Sequence, residues 1–381
     1  MRSEIRAIDG AGLIGSMSYA QLMAYSGSQT TVNVWGIGNV FDGAAGTFKV
    51  AVSDTTSLDN GGTILVDSLG RRWYRQYYGN ISAKWFGVVG DGTTDDTSSF
   101  ISAITYSKSA NKILDISNSK IYLGSQSSSI NLDGCKIVGN GKLPKLQQDT
   151  AYLNGADHAV QIWTSLLTYQ GSGIFSRYNG AIFTGKTFPV SGVTILGDYT
   201  KASSRAFVQT IPTAYPGWSQ ALTDTAVDVF YFGSDGIKLL GGLEVSTIRN
   251  INIYFCGSFC LNVQGNTSGV TSAVNAPIEY LDFDDTCSFV GGKIGNVWLN
   301  GFRKFVTFSG CMLNSAGLYD VRKAANPSFT ITGQDVLTSP IRVTSLAAGV
   351  YGGVNHVTST QLKVERCYAE VAQSLVLFDG Y

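Results

Sequence analysis

The segment Ile278-Glu279-Tyr280-Leu281-Asp282-Phe283-Asp284-Asp285 holds the densest run of carboxylates set among alternating apolar residues. Read as a β-strand with Leu281 and Phe283 facing a core, it sends Tyr280, Asp282 and Asp284 to the opposite side, with α-carbons about 6.6 Å apart for every two residues. Glycoside hydrolysis needs one carboxylic acid to protonate the leaving oxygen and one carboxylate as base or nucleophile. The two lie about 5–5.5 Å apart for retention of configuration and about 6.5–9.5 Å for inversion. Crowding of like charges raises one pKa, as a general acid requires. Asp282 and Asp284 are therefore the candidate catalytic pair, although solvated or turn carboxylates fit the same pattern. A lyase version would place Tyr280 or Arg303 near a uronate. Tyr254 and Trp298 fall on the outer side of strands whose Ile253, Phe255, Val297 and Leu299 point in. With Tyr280 and Arg303 they are the candidate substrate-binding residues, and packing against a neighbouring protomer is the competing role for both aromatics.

These side chains need strands to hold them. From about residue 112 onward, short segments alternate around two or three apolar residues and are punctuated by Gly, Asn and Asp. Examples are Ile113-Leu114-Asp115-Ile116, Val193-Thr194-Ile195-Leu196-Gly197, Ile251-Asn252-Ile253-Tyr254-Phe255, Leu261-Asn262-Val263 and Phe305-Val306-Thr307-Phe308. They lack the Asn-Gly links of a hairpin series, and their irregular lengths suit solenoid coils in which each strand stacks on its counterpart. No exact repeat is visible.

Residues 1–80 read as a small mixed α/β domain. Ser18-x-x-Gln21 has capping-box spacing for a helix through about Tyr25. Val32–Trp35 and Phe48–Val52 alternate as antiparallel strands, and Thr63–Val66 and Arg71–Arg75 form a hairpin around the turn Asp67-Ser68-Leu69-Gly70. The basic residues of that hairpin could contact another protein or a sugar, but the wet face of an edge strand is the preferred reading. In Gly90-Asp91-Gly92-Thr93-Thr94-Asp95-Asp96-Thr97, the three carboxylates read as turn and cap residues rather than as a metal or catalytic site. Thr94 or Asp95 caps a helix whose Phe100, Ile101 and Ile104 share one face, and this helix is placed to shield the open end of the coil stack.

Composition narrows the partners. Charged residues are 14% of the 381, against roughly 25% in an average globular protein. The 27 basic and 27 acidic residues cancel, so no basic field draws the chain to nucleic acid or an anionic membrane. No apolar run approaches the length of a membrane helix, and Glu4 and Asp9 occupy the place of a signal peptide's apolar stretch. The expectation is neither secretion by a cleaved signal nor membrane insertion. Six cysteines without CxxC spacing read as buried thiols of a chain folded in a reducing cytoplasm. Cys256-x-x-x-Cys260 is the nearest approach to a metal pattern, but the only histidines are His158 and His356, so no metal and no cofactor is expected.

Lys84-Trp85-Phe86-Gly87 and the Gly90–Thr97 motif, followed by a short helix and strand coils, resemble the pectate-lyase-like superfamily and, within it, bacteriophage tailspikes. Asp59-Asn60-Gly61-Gly62-Thr63 and Gly70-Arg71-Arg72-Trp73-Tyr74 are similar to the leader that precedes the shaft in such spikes. The specific resemblance covers about residues 15–125. It implies an all-β fold, a right-handed single-stranded parallel β-helix over 81–381 with a short capping helix, behind a particle-proximal domain over 1–80. It also implies a homotrimer on the virion tail, held to a tail or baseplate protein by the N-terminal region. The implied activity is binding and hydrolytic depolymerisation of a host capsule or O-antigen polysaccharide. The motif marks the entrance of the fold and transfers no catalytic residue. Tailspikes tend to continue into further coils and a C-terminal module, so more chain is expected beyond Tyr381. The rival readings are a non-catalytic receptor-binding or structural tail protein, including a prophage remnant, and a bacterial pectate-lyase-like enzyme.

Overall fold

The computed structural model describes residues 16–144, 158–210, 222, 224–240, 243–264, 278–314, 341–345, 362–369 and 376–379. The chain divides into two compact units, residues 1–124 with 134–138, and residues 125–133 with 139–381.

The first unit opens with a sheet of order β1-β2-β3-β5-β4, formed by β1 (Met17–Ser18), β2 (Thr31–Gly36), β3 (Gly46–Val50), β4 (Ile64–Val66) and β5 (Arg72–Gln76). Neighbours pair antiparallel except β1, which joins β2 in parallel. The capping box is present at α1 (Tyr19–Met23): the Gln21 N–H donates to Ser18 Oγ at 3.2 Å and the Ser18 N–H donates to Gln21 Oε1 at 2.8 Å. The turn at Asp67 closes as expected, with the Gly70 N–H donating to the Asp67 carbonyl at 2.9 Å.

The basic residues of this hairpin do not all face water. β5 lies between β3 and β4, so it is not an edge strand. Period-2 alternation puts Trp73 and Arg75 on one face, and that face is the core, where Arg75 is only 5% exposed. Its guanidinium donates to the carbonyls of Ala44, Ala45 and Gly62 and to the Tyr19 hydroxyl, and lies 4.7 Å from the Trp85 ring centre and 4.8 Å from that of Phe48. A buried charge is tolerable when its donors are paired and its planar face is stacked.

Beyond β6 (Ile81–Ser82), the entrance motif forms β7 (Asp91–Asp95) and leads into α2 (Thr97–Ala110). Each carboxylate serves backbone donors. Asp91 accepts from the Thr93 and Thr94 N–H groups at 2.8 and 2.7 Å, and Asp95 from those of Thr97 and Gly124 at 3.0 and 2.9 Å. Asp96, although it sits at the N-cap, turns its carboxylate back to the Val89 and Gly90 N–H groups at 2.7 and 2.9 Å. The helix buries Phe100, Ala103, Ile104 and Ser107, whereas Ile101 is exposed, because the inner stripe follows i, i+3, i+4 and i+7.

The strands of the second unit pair in parallel, coil upon coil. Each coil passes through three faces, illustrated by Phe259–Gln264, then Ile278–Phe283, then Ser288–Val290. The next coil repeats them within Gly295–Ser309 and at Met312–Asn314. Inward columns such as Phe207, Ile237, Leu261, Val297 and Ile341 are fully buried. Phe283 and Phe308 stack at 4.5 Å with ring planes 2° apart. Some bends of the coils rest on non-glycine residues in the left-handed region. Tyr280 (φ 58°) is stacked on Phe305 (φ 56°) at 5.0 Å, and Tyr231 (φ 58°) on Phe255 (φ 55°) at 5.2 Å.

Candidate functional site

Three outer faces carry the residues singled out by sequence. On the first, Asp282 lies between Thr247 and Thr307 of the neighbouring coils, and Asp284 follows past Phe283, whose partners are Ile248 and Phe308. Asp282 is exposed and Asp284 half-buried. Tyr280 does not continue their alternation, because its left-handed backbone makes it a corner residue stacked on Phe305. Asp284 accepts from the Thr286 N–H at 3.0 Å and from its hydroxyl, and pairs with Arg249 at 3.1 Å. Asp284 also joins Asp285, Ser309, Gly310 and Arg366 in lining a cleft of about 410 Å³. The carboxylate that shares this cleft with Asp284 is therefore Asp285, its immediate neighbour.

Tyr254 is not the outward platform expected of it. It does lie on the side opposite Ile253, but that side is covered: the ring is 6% exposed and stacks on Phe230 at 4.9 Å, and burial pushes its phenol up to about 12. Beside it runs a polar column in which Asp228 accepts from Asn252 Nδ2 at 2.6 Å and from Lys142 Nζ at 2.8 Å, with Thr194 and Ser288 at the same position in adjacent coils. This buried column was not legible in the sequence.

Trp298 stands on the third face, half-buried, between the Phe259 ring at 5.2 Å and the Arg342 guanidinium at 5.4 Å. In the column of Trp298, successive coils place Lys238, Asn262 and Arg342. Asn262 donates to Asp235 Oδ2 at 3.1 Å, and Asp235 also faces Arg205 at 3.5 Å. Alternation set Trp298 on an outer side, where it is half-buried, but did not point to its register neighbours Lys238, Asn262 and Arg342. They lie 24 to 44 residues apart at unequal spacing, so only the register joins them. Arg303 belongs to the strand Gly295–Ser309, but its side chain, like those of His158 and His356, lies outside the described residues. Among the described residues no His, Cys, Asp and Glu cluster could hold a metal ion, and no helix is long and apolar enough to cross a membrane.

Residues 17–78, the span of the first sheet, match the family model for the phage tail protein small four-stranded β-sheet domain. That match covers the first sheet, well under half of the chain. Its four antiparallel strands are β2 to β5, with the two-residue β1 added along β2. No curated protein sequence matches the chain. Among solved structures it is similar to the enzymatically active domain of tailspike protein 4 of bacteriophage CBA120, with 11% identity, a TM-score of 0.54, and coverage of 97% of this chain and 47% of that one. It is also similar to Pantoea stewartii WceF, a glycan biofilm modifying enzyme with a bacteriophage tailspike-like parallel β-helix fold, at 13% identity, TM-score 0.53, and coverage of 96% and 49%. A full-length tailspike protein 2 from an Escherichia coli O157:H7 bacteriophage matches at 14% identity, TM-score 0.46, and coverage of 95% and 57%. The first two likenesses establish the tailspike-like parallel β-helix as the fold of this chain. The chain spans between 47% and 57% of the length of these three structures.

Proposed function

We propose that the chain is a phage tailspike that binds a bacterial surface polysaccharide, capsule or O-antigen, and cleaves it by glycoside hydrolysis. The observation that carries this reading is the union in one chain of a phage tail domain at 17–78 with a tailspike-like coil stack. In this reading the first unit docks on a tail or baseplate protein of the virion, and the working assembly is a homotrimer. The coils hold the glycan on their outer faces, where each coil adds one side chain per column at a spacing of about 4.8 Å.

Hydrolysis would run on the Asp282 face. Asp284, oriented by its 3.1 Å ion pair with Arg249, would activate water, and Asp282 would protonate the leaving glycosidic oxygen. The exposure of Asp282 favours a second reading, a receptor-binding spike without turnover. The deciding experiment incubates the purified chain with a panel of capsular and O-antigen polysaccharides and follows new reducing ends together with unsaturated-uronate absorbance. Reducing ends alone support hydrolysis, and both signals together mean a lyase. Binding without either signal selects the receptor-binding reading, and absence of binding overturns both readings. If turnover is seen, Asp282→Asn and Asp284→Asn should each lower it about 10²- to 10⁴-fold. Unchanged rates in both variants would remove this pair from the mechanism.

A further inference from the structure

We propose that Cys311 and Cys367 are a dithiol oxidation site, closed by a peroxide into an intrachain disulfide that ties two successive coils together. The register brings the pair together. Ser309 and Met312 lie opposite Glu365 and Tyr368, so Cys311 and Cys367 occupy the same position on adjacent coils. Met312 in turn lies opposite Ser288, which adds Cys287 as the third thiol of one column. Each thiol donates to a strand end in the coil behind it: Cys287 to the Ile248 carbonyl at 3.2 Å, Cys311 to that of Phe283 at 3.3 Å and Cys367 to that of Phe308 at 3.4 Å. Ile248, Phe283 and Phe308 are themselves register partners, so the three sulfurs lean the same way and Cys367 leans onto the coil of Cys311. Neighbouring strands about 4.8 Å apart put α-carbons within the span of about 4.4–6.8 Å that a disulfide bridges. The Tyr368 N–H donates to the Cys311 carbonyl at 3.0 Å and the Leu313 N–H to the Tyr368 carbonyl at 2.8 Å, so the backbone already holds that approach.

Exposure differs along the column. Cys287 and Cys311 are fully buried, whereas Cys367 is half-buried and is the sulfur of the three that an oxidant can reach. Burial pushes the Cys287 thiol up to about 12, which keeps it protonated and unreactive. A hydrogen bond joins the Cys311 and Cys367 thiols and holds Cys367 below the usual thiol value, since the S–H that remains stabilises the thiolate beside it. The Cys367 thiolate attacks hydrogen peroxide, the O–O bond breaks, and Cys367 becomes a sulfenic acid while hydroxide leaves and takes up the proton that Cys367 released. The Cys311 sulfur then attacks the Cys367 sulfur, the S–O bond breaks, and the hydroxyl departs as water with the Cys311 proton. Two thiols lose two electrons, and one peroxide becomes two waters. The new bond joins positions 56 apart in sequence, so it closes a long loop. This chemistry is independent of glycan binding. Under the tailspike reading the pair stays reduced in the cytoplasm where the chain is made and closes after release.

The test treats the reduced full chain with a small excess of hydrogen peroxide, then unfolds it in acid and alkylates what thiols remain. The count should fall by two from the six of the reduced chain, with a peptide joining Cys311 to Cys367 in the mass spectrum. Cys367→Ser should keep all of its thiols, and Cys311→Ser should stop at a Cys367 sulfenic acid that dimedone traps. Cys287→Ser should form the linked peptide as the parent does. Closure should raise the thermal midpoint of the second unit by about 5–10 °C, because the loop is constrained in the unfolded chain, and dithiothreitol should reverse the shift. An unchanged thiol count overturns the proposal. So does a peptide joining Cys287 to Cys311, a disulfide between two chains, or a Cys367 sulfinic acid beside a reduced Cys311. A linked peptide whose formation leaves the midpoint where it was overturns the tie between coils. Should Cys311→Ser fail to fold, the linked peptide in the parent and its loss in Cys367→Ser decide.

Discussion

Arg75 in the first unit and Arg342 in the second are both guanidinium groups held near aromatic rings, and they meet opposite fates. Arg75 is enclosed, with Trp85 and Phe48 within 5 Å of its charge and three carbonyls and a hydroxyl around its donors. Arg342 lies 5.4 Å from Trp298 on a half-buried face. A charge whose donors are spent on the chain itself holds a fold together. A charge on a half-buried outer face keeps solvent beside it and contributes less to folding. The contrast separates an enclosed cation from an outer-face one more sharply than sequence context does, since each sits in an alternating strand next to apolar residues.

The largest effect that can break this contrast is on stability. Arg75→Met leaves the carbonyls of Ala44, Ala45 and Gly62 without their donor and should cost the first unit about 3–5 kcal/mol, measured by urea unfolding with tryptophan fluorescence. Arg342→Met should stay within about 0.5 kcal/mol of the parent. Equal losses would show that Arg342 is structural as well. The next effect sharpens the comparison inside the second unit, where Asp228 is a buried charge paired with Lys142 and Asn252. Asp228→Ala should cost about 2–3 kcal/mol by the same measurement while leaving glycan binding unchanged, and a selective loss of binding would place this column in the site.

The smallest effect is a slope in pH. Burial pushes the Asp42 carboxyl up, but the N–H groups of Ala44, Gly38, Asn39 and Ile37 outweigh it and hold it below its usual 3.8. Its contribution is therefore complete above the unfolded value and is lost as pH falls through the lowered one. Asp96 is opposite: burial dominates its backbone hydrogen bonds and raises it, so the native state gains stability relative to neutral pH as this group takes up its proton. Thermal unfolding between pH 2 and 6 should show Asp42→Asn flattening the acid limb and Asp96→Asn flattening the segment above 3.8. Identical slopes in parent and variants would discard the assignment.

Local chemistry made the small elements readable. The Ser18/Gln21 capping box, the turn at Asp67 and the coil strands each depend on residues close in sequence, and each forms. Alternation also found the correct sides. Trp73 and Arg75 do share a face, and Tyr254 does oppose Ile253. What failed was the assumption about the environment on that side, because a period of two says where a side chain points and nothing about what covers it. Arg75 was assigned to water by its charge, and Tyr254 to a ligand by its ring. The swap between Asp95 and Asp96 has a different origin: adjacent carboxylates can serve either the helix start or the incoming loop, and only the path of residues 89–90 decides. The Lys238 to Arg342 column is invisible before folding because intervening turns of unequal length hide its repeat.

The paired corners at Tyr280 and Phe305, and at Tyr231 and Phe255, bear on how the coils find their alignment during folding. A left-handed backbone costs a bulky residue of order 1–3 kcal/mol, and here each such residue meets an aromatic ring at the same corner of the adjacent coil. If a strand slipped by one residue, Leu281 or Glu279 would enter the left-handed corner, the ring stack would part, and every inward side chain would change sides. The corners thus penalise an out-of-step coil in addition to the mismatch of its columns.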